Sequence, residues 1–296
     1  VDVTVGIALA PHHGTDASTL ARRAEVAMYQ GKRRHSGVWV YDGDDDHHNH
    51  GRLALLGELG RAIRRDELVM AYQPKIGLES GEIRGVEALV RWQHPDRGLL
   101  GPGEFVPLAE ETGLIVPLGR WVLRESCRQA AQWAGAPYLS VNVASAQLEQ
   151  PSFLTEVETA LADGGLCADR LVLEVTESSL VDDLEAERLQ ALRRLGVRLA
   201  IDDFGTGYSS LSYLRKFPMD VLKIDRSFTR DATEDSALLQ AIVAMGESLG
   251  LVLVPEGIEE PEQADALRAL GCRLGQGYLF GRPVPADELT GVALRI

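Results

Sequence analysis

The pattern of apolar and polar positions predicts a regular succession of strands and helices after residue 52. Short apolar runs bounded by turn residues predict strands, and these runs lie at Leu68–Gln73, Ile83–Trp92, Tyr138–Val143, Leu171–Val175, Arg198–Ile201, Val221–Ile224, Val252–Pro255 and Arg273–Tyr278. Segments with helical spacing separate them, at Leu53–Arg65, Phe105–Glu111, Leu118–Trp133, Phe153–Ala162, Leu184–Leu195, Leu211–Lys216, Ser236–Leu249 and Glu260–Leu270. About eight strands that alternate with helices over roughly 245 residues predict an α/β fold, a (β/α)₈ barrel. An open doubly wound sheet is the alternative, although the Gly-rich phosphate turn typical of its first strand is absent.

The beginning of the chain has its own pattern, which predicts a strand at Val3–Leu9, a helix at Leu20–Gln30 and a strand at Val38–Tyr41. About forty residues of β-α-β cannot bury a core alone, so this segment is expected to be the end of a domain. The chain also begins at Val1 in the middle of a pattern, which indicates a piece of a longer protein. An acidic, His-bearing run then predicts a linker. The predicted division is 1–41, 42–51 and 52–296.

The charge and composition limit the possible partners. The chain of 296 residues has a net charge of −14 and a pI near 5.0, which disfavours a binder of polymeric nucleic acid. A small anionic ligand stays open if metal ions supply the positive charge. No apolar run reaches the roughly 18 residues of a membrane-spanning helix, so no membrane contact is expected within this chain. Three scattered cysteines favour free thiols and a cytoplasmic location, while a membrane anchor elsewhere in the longer protein stays open.

Polar residues end most of the predicted strands, and these residues are the candidate chemistry. The run Ile201-Asp202-Asp203-Phe204-Gly205-Thr206-Gly207 places two adjacent carboxylates at a strand end before a turn. Because adjacent strand residues point to opposite faces, the two carboxylates are expected to reach different parts of one rim. The full set of strand-end residues is Glu87, Asn142, Glu174, Asp202, Asp203, Lys223, Glu256 and Gln276. In a barrel, the carboxyl ends of the strands form the reactive face.

The repulsion within this set predicts bound cations. Two carboxylates about 4 Å apart repel by about 4 kcal/mol at an effective dielectric constant near 20. Oxygen ligands without histidine suit Mg²⁺ or Mn²⁺ and disfavour a zinc hydrolase. The two acidic clusters with a shared Asp pair indicate two ions, between which a bridging water becomes a nucleophile.

Two basic residues have alternative interpretations. Lys223 is suited to position or activate water or to stabilise phosphoryl charge, and a Schiff-base lysine is the alternative. Surrounding carboxylates favour its charged form, which argues against the Schiff base. Arg91 shares a strand face with Glu87 and is suited to meet a phosphate, or to form a surface salt bridge.

A series of short motifs carries a resemblance to a known family. They are Tyr72-Gln73-Pro74, Glu87-Ala88-Leu89-Val90-Arg91, Ser140-Val141-Asn142, Glu174-Val175-Thr176-Glu177, Asp202-Asp203-Phe204-Gly205-Thr206-Gly207-Tyr208, Lys223-Ile224-Asp225, Glu256-Gly257-Ile258-Glu259 and Gln276-Gly277-Tyr278. In this order and spacing they resemble the EAL domain, the cyclic di-GMP phosphodiesterase family. The segment from Val3 to Lys32 resembles the C-terminal tail of a GGDEF (diguanylate cyclase) domain.

The resemblance implies a modified TIM-like barrel, usually a homodimer, that hydrolyses cyclic di-GMP to linear 5′-pGpG with Mg²⁺ or Mn²⁺. It implies that four residues bind the first metal ion, namely Glu87, Asn142, Glu174 and Asp202, and that Asp203 helps to hold the second. It implies that Lys223 and Glu256 orient or deprotonate the attacking water, supported by Gln276. The implied substrate-binding residues are Gln73, Leu89, Arg91, Asp225 and Glu259. Glu177 is implied to tether the segment from Asp203 to Ser210, which couples the dimer face to the metals.

Two questions stay open at the level of sequence. Pro255 stands where relatives commonly have a small residue, and a shift of Glu256 by 1 Å can cost about 100-fold in rate. The alternative to an active enzyme is a catalytically silent cyclic di-GMP receptor or dimer-mediated signalling module. A sugar-phosphate aldolase or an enolase-like barrel is a more distant alternative.

Overall fold

The computed structural model describes residues 4–33, 37–41, 55–135, 137–179, 183–205, 217–230 and 237–289. The chain divides into two compact units, Val1–Arg61 and Ala62–Ile296. The predicted linker at 42–51 and the predicted helix Leu211–Lys216 lie outside the described residues. In the described ranges, no helix is both long enough and apolar enough to span a membrane.

The first unit contains the predicted β-α-β order. Strand β1 (Val5–Ile7) and strand β2 (Val38–Val40) pair in parallel, and helix α1 (Ala17–Arg33) connects them. Two parallel strands run in the same direction, so the chain must return along the sheet before the second strand begins. A tight turn cannot span that distance, and a helix can. A small buried cluster of Val26, Ala27 and Tyr41 holds helix and strands together. Helix α2 follows at residues 55–62.

The second unit alternates strands and helices in the predicted order. Its strands are β3 (Leu68–Gly77), β4 (Ile83–His94), β5 (Gly98–Leu100), β6 (Tyr138–Val143), β7 (Leu171–Thr176), β8 (Arg198–Phe204), β9 (Val221–Ile224), β10 (Val252–Pro255) and β11 (Leu274–Gln276). Its helices are α3 (Pro102–Thr112), α4 (Ile115–Ala130), α5 (Ser145–Leu148), α6 (Phe153–Gly164), α7 (Asp183–Leu195), α8 (Arg226–Thr229), α9 (Ala237–Ser248) and α10 (Pro261–Ala269). Two short 3₁₀ turns lie at Ala168–Arg170 and Glu177–Ser179.

Hydrogen bonding joins the strands into one sheet, in the order β10-β9-β8-β7-β6-β4-β3-β11, with β5 added to β4. The strands from β4 through β6, β7, β8, β9 and β10 pair in parallel, whereas β3 is antiparallel to both β4 and β11. The apolar runs of the central strands fit a parallel sheet that is covered on both faces. The predicted barrel is confirmed, and its modification is the reversal of β3.

The barrel closes between β10 and β11 through the backbone just after β10. The amide of Ile258 donates to the carbonyl oxygen of Gln276 at 3.1 Å, and the amide of Leu279 donates to Ile258 at 3.0 Å. A Cβ atom on Gly277 would lie 2.0 Å from the carbonyl oxygen of Ile258, so only glycine permits this approach. We call this junction the closing seam.

Four strands extend beyond their predicted ends, and β7 does so by a single residue, to Thr176. Strand β3 continues to Gly77, β4 to His94 and β8 to Phe204. The β3–β4 hairpin is longer because the two strands pair with each other over most of their length, from Leu68 opposite Trp92 onward. Glu87 was predicted at a strand end, and the structure corrects this, because Glu87 lies in the middle of β4.

Candidate active site

The strands carry their charged side chains in one layer of the barrel interior. The charged layer is the set Glu174, Asp202, Lys223 and Glu256. The apolar layer is the set that stands two residues earlier along the same strands, Val172, Ala200, Val221 and Val254. Because strand residues alternate between faces, residues two apart share a face, and the charged layer lies nearer the carboxyl ends of the strands. The apolar layer packs as one buried cluster and closes the barrel beneath the charges.

Lys223 is the central cation of the charged layer. It is 1% exposed, and its Nζ lies 2.6 Å from Oε2 of Glu174 and 2.8 Å from Oδ1 of Asp202. Oε1 of Glu256 is also 2.8 Å away, and Oε2 of Glu87 is 3.8 Å away. One ammonium group therefore balances carboxylates from several strands, which is the arrangement that lets buried charges persist.

A second buried cation, Lys75, was missed in the sequence. It is 1% exposed in β3, and its Nζ contacts Oε1 of Glu174 and lies 2.8 Å from Oγ of Ser140. Its signal was a lysine within an apolar stretch, but the predicted strand ended at Gln73. Burial disfavours the charged form of Lys75, yet Glu174 outweighs this and raises the pKa of the lysine.

A chain of amide hydrogen bonds fixes Glu87. Asn142 donates from Nδ2 to Oε1 of Glu87 at 2.7 Å, and Gln276 donates from Nε2 to Oε2 at 2.7 Å. The same Gln276 nitrogen is 3.0 Å from Oε1 of Gln73, whose own nitrogen donates to the carbonyl of Gly281 at 3.2 Å. Buried Oε1 of Gln276 has no hydrogen-bond partner within the described ranges.

Asp202 and Asp203 reach the same part of the rim, so the expectation from strand alternation was wrong. The β8–β9 ladder is irregular between Ile201 and Phe204, and Asp203 has φ +53°. This left-handed conformation interrupts the alternation and turns the second carboxylate toward the first. One oxygen each from Asp202, Asp203 and Glu256 all lie within 4.8 Å of one another.

The charges of this site shift several pKa values. Burial raises the pKa of Asp202 to about 6 and that of Glu256 to about 8, although the nearby Lys223 ammonium partly opposes both shifts. For Glu174, burial is outweighed by Lys223 and Lys75, and the pKa falls to about 2. The pKa of Lys223 is raised well above its ordinary value because its carboxylate neighbours outweigh the effect of burial. Lys223 is therefore charged at neutral pH.

The residues fit a divalent cation. Glu87, Glu174, Asp202 and Glu256 bring four carboxyl groups to the two ammonium groups of Lys75 and Lys223, so carboxyl groups outnumber ammonium groups among the described residues of this cluster. The donors around the Asp202–Asp203–Glu256 cluster are oxygen atoms, which suit a hard ion such as Mg²⁺ or Mn²⁺.

A cleft of about 250 Å³ opens above these groups. Its lining includes three of the predicted substrate-binding residues, Gln73, Leu89 and Glu259. Arg91 and Asp225 are not part of the lining among the described residues. Arg91 is half-buried and donates to the carbonyl of Val90 at 2.9 Å, and Asp225 accepts from the amide of Ser227 at 2.9 Å, at the start of α8. The lining also includes Arg226, which the sequence did not single out, and Tyr278, which the sequence placed in a motif without a role.

The two remaining sequence questions concern the surroundings of the site. Oε2 of Glu177 accepts from the amide of Gly205 at 3.3 Å, so Glu177 contacts the start of the predicted coupling segment. Residues 206–210 of that segment lie outside the described ranges.

Pro255 pairs with Ile224 at the end of β10, and the next amide, that of Glu256, donates to the carbonyl oxygen of Ile224 at 3.0 Å. Alternation directs the nitrogen of Pro255 away from β9, so its missing donor leaves this ladder intact.

Comparisons with known proteins find similar sequences and a similar fold. The sequence model described as the EAL domain matches residues 57–283. MucR of Pseudomonas aeruginosa, named a bifunctional diguanylate cyclase/cyclic di-GMP phosphodiesterase, is 42% identical in an alignment of 299 positions that covers 98% of this chain and 44% of that protein. NbdA of the same species, named a cyclic di-GMP phosphodiesterase, is 43% identical over 296 residues, covering 97% of this chain and 38% of that protein. The solved structure of the PaMucR phosphodiesterase in complex with c-di-GMP has a TM-score of 0.76 and 45% identity, over 80% of this chain and 99% of that one. The chain spans less than half the length of these curated relatives.

Proposed function

The chain belongs to the EAL domain family, and from this premise we propose that it hydrolyses cyclic di-GMP to linear 5′-pGpG. In this reaction a water oxygen forms a bond to phosphorus while the P–O3′ bond breaks, leaving a 5′-phosphate and a 3′-hydroxyl. The observation that carries the proposal is the convergence of Asp202, Asp203 and Glu256 within 4.8 Å at the edge of a cleft whose floor holds Lys223. The names of MucR and NbdA and the c-di-GMP in the PaMucR structure support the same substrate.

The donor set supports two Mg²⁺ or Mn²⁺ ions as cofactors. We assign Glu87, Asn142, Glu174 and Asp202 to the first ion and Asp203 to the second. A divalent ion in such a site lowers the pKa of bound water and neutralises charge on phosphoryl oxygens.

The side chains of Lys223, Glu256 and Gln276 have separate proposed roles in the reaction. Lys223 keeps its proton at neutral pH because its pKa is raised, so it acts as a fixed positive charge that orients water or phosphate rather than as a base. Glu256 has a raised pKa of about 8 and is the better proton acceptor from the attacking water. Gln276 belongs to the cleft lining and fixes Glu87 through its side-chain amide.

The substrate contacts follow from the cleft lining. Gln73, Leu89 and Glu259 line the cleft and are proposed to hold the nucleotide. Arg91 and Asp225 retain their proposed substrate roles only if the bound nucleotide extends beyond this lining.

The decisive experiment is a turnover assay with purified protein, cyclic di-GMP and Mn²⁺, in which linear product is separated by chromatography. We expect pGpG to accumulate, excess EDTA to stop the reaction, and Glu87→Ala to abolish it by removing an oxygen ligand. Val86→Ala, which changes a fully buried neighbour on the other face of β4, is the matched control. Binding of cyclic di-GMP by the wild type without any turnover would instead establish the silent receptor.

We propose further that the segment 1–41 is the C-terminal remnant of a GGDEF domain. Its described β-α-β order and the match to MucR over 98% of the chain support this. The gene sequence upstream of Val1 tests the proposal, because it is expected to encode the Gly-Gly-Asp-Glu-Phe loop.

We also propose a homodimer in which Glu177 couples the dimer face to the metals. The contact between Glu177 and Gly205 supports this coupling. Light scattering is expected to give a mass near twice the 32.2 kDa of the chain, and a monomer during turnover would contradict the proposal.

A further inference from the structure

Lys75 is a buried cation that the proposed reaction does not yet use. Its side chain is among the largest that are fully buried, and its Nζ has polar contacts with Ser140 and Glu174. The ring of Tyr138 lies 6.0 Å from the same nitrogen. A lysine without a function in this position would be costly, because its ammonium group has been removed from water.

The contact between Lys75 and Glu174 crosses the barrel interior. Lys75 belongs to the reversed strand β3, Ser140 to β6 and Glu174 to β7, and strand β4 lies between β3 and β6 in the sheet. The lysine side chain therefore reaches past two strands, β4 and β6, and joins β3 to β7 through the barrel interior. Its four-carbon stem supplies the reach that a shorter cation would lack.

The two oxygens of Glu174 are divided between two ammonium groups. Oε1 contacts Nζ of Lys75, and Oε2 lies 2.6 Å from Nζ of Lys223. Nζ of Lys223 is in turn 2.8 Å from both Asp202 and Glu256. A change in the position of Glu174 would therefore move the ammonium of Lys223 relative to the carboxylates that face the cleft.

We propose that Lys75 is a positioning residue that fixes Glu174 by one oxygen and, through it, the ammonium of Lys223. This inference rests on the proposed function, since Lys223 is the group that orients water or phosphate in that reaction. A lysine that served only stability would instead alter folding without altering Lys223.

The first experiment compares the wild type with Lys75→Met, which keeps a similar apolar stem and removes the charge. We expect kcat to fall by about 10- to 100-fold, as for other partners that orient a reactive group, while KM for cyclic di-GMP changes by less than about 3-fold. Mn²⁺ binding, followed by electron paramagnetic resonance, is expected to stay equal or become tighter because a positive charge is removed from the site. An unchanged kcat, or a loss of kcat that saturating Mn²⁺ restores, would overturn the proposal.

Matched variants separate positioning from general damage to the core. Val86→Ala is expected to lower stability and leave kcat near the wild-type value. Ser140→Ala keeps both lysines and removes one hydrogen-bond partner of Lys75, so kcat is expected to fall about 5-fold with KM unchanged. Ser140→Ala carries the test if Lys75→Met does not fold, and a wild-type kcat in that variant contradicts the proposal.

A spectroscopic measurement tests the inference independently of turnover. In protein labelled with ¹⁵N at the lysine Nζ atoms, the resonance of Lys223 is expected to shift in Lys75→Met and in Ser140→Ala, and to stay in place in Val86→Ala. A fixed Lys223 resonance in both site variants refutes the positioning role. Absence of turnover in the wild type, by contrast, refutes the proposed function and leaves the spectra to decide the role of Lys75.

Discussion

The charged layer and the apolar layer lie on the same four strands, only two residues apart, yet they serve opposite needs. Each residue of the apolar layer is buried without any polar group to satisfy. Each residue of the charged layer requires partners, and burial raises the pKa values of Asp202 and Glu256 even though the ammonium of Lys223 opposes both shifts. The apolar layer therefore stabilises the barrel, whereas the charged layer keeps buried carboxyl groups that a bound cation would neutralise.

The largest expected effect comes from removing the central cation of the charged layer. Lys223→Met is expected to lower kcat/KM for cyclic di-GMP about 10³-fold, which corresponds to about 4 kcal/mol, because a fixed positive charge is lost at the reacting centre. Steady-state kinetics at saturating Mn²⁺ measures this. Val221→Ala, two residues earlier in β9, is the control, and an equal loss in that control would show that the layers are not functionally distinct.

A substitution in the apolar layer is expected to have a smaller effect, and to change the free energy of unfolding rather than kcat/KM. Val172 is 1% exposed beneath Glu174, so Val172→Ala leaves a cavity and is expected to lower the free energy of unfolding by about 2 kcal/mol. We expect kcat to stay within about 3-fold of the wild type. Urea denaturation and the turnover assay together check this, and a loss of turnover above 10-fold without a loss of stability would contradict it.

The charged layer, unlike the apolar layer, is also expected to make the free energy of unfolding depend on pH. Because the pKa values of Asp202 and Glu256 are raised on folding to about 6 and about 8, the folded state holds more protons than the unfolded state above about pH 4. Stability without metal is therefore expected to fall as pH rises from 5 to 8, by at most about 1.4 kcal/mol per pH unit for each retained proton. The lowered pKa of Glu174, about 2, acts only in more acidic solution.

Urea midpoints measured in EDTA at several pH values check this prediction. Glu256→Gln is expected to flatten the slope, and added Mn²⁺ is expected to restore stability at pH 8. Val172→Ala is expected to shift every midpoint without changing the slope. A slope that Glu256→Gln leaves unchanged would show that other groups bind the protons.

The sequence predicted the strands of the barrel well because their signal is local. Val221–Ile224, Tyr138–Val143 and Val252–Pro255 were predicted with the bounds that the structure has. Apolar runs between turn residues mark such strands without reference to the rest of the molecule. The polar residues after them converge because parallel strands end on one rim.

The parts that the sequence did not predict depend on contacts between distant residues. The left-handed conformation of Asp203 comes from an irregular ladder between β8 and β9, and the sequence of one strand alone does not predict it. Lys75 pairs with Glu174 through the barrel interior, 99 residues away along the chain, and its local signal, a lysine within an apolar stretch, does not reveal that partner. Glu87 was counted among the strand ends although the predicted strand Ile83–Trp92 already continued past it, and the pairing of β4 with β3 and β5 carries that strand on to His94.

The ladder between β3 and β11 determines how late in synthesis the barrel can fold. It joins the first and last strands of the barrel, with Gln276 opposite Lys75, and Val284 forms a further bridge to Tyr72. Pairings between residues about 200 apart form late, because the chain must first close a long loop. On the ribosome, neither the barrel nor the partner of Glu87 on the last strand exists until nearly the whole chain has emerged. A truncated product would therefore contain most of the acidic residues without ever assembling them.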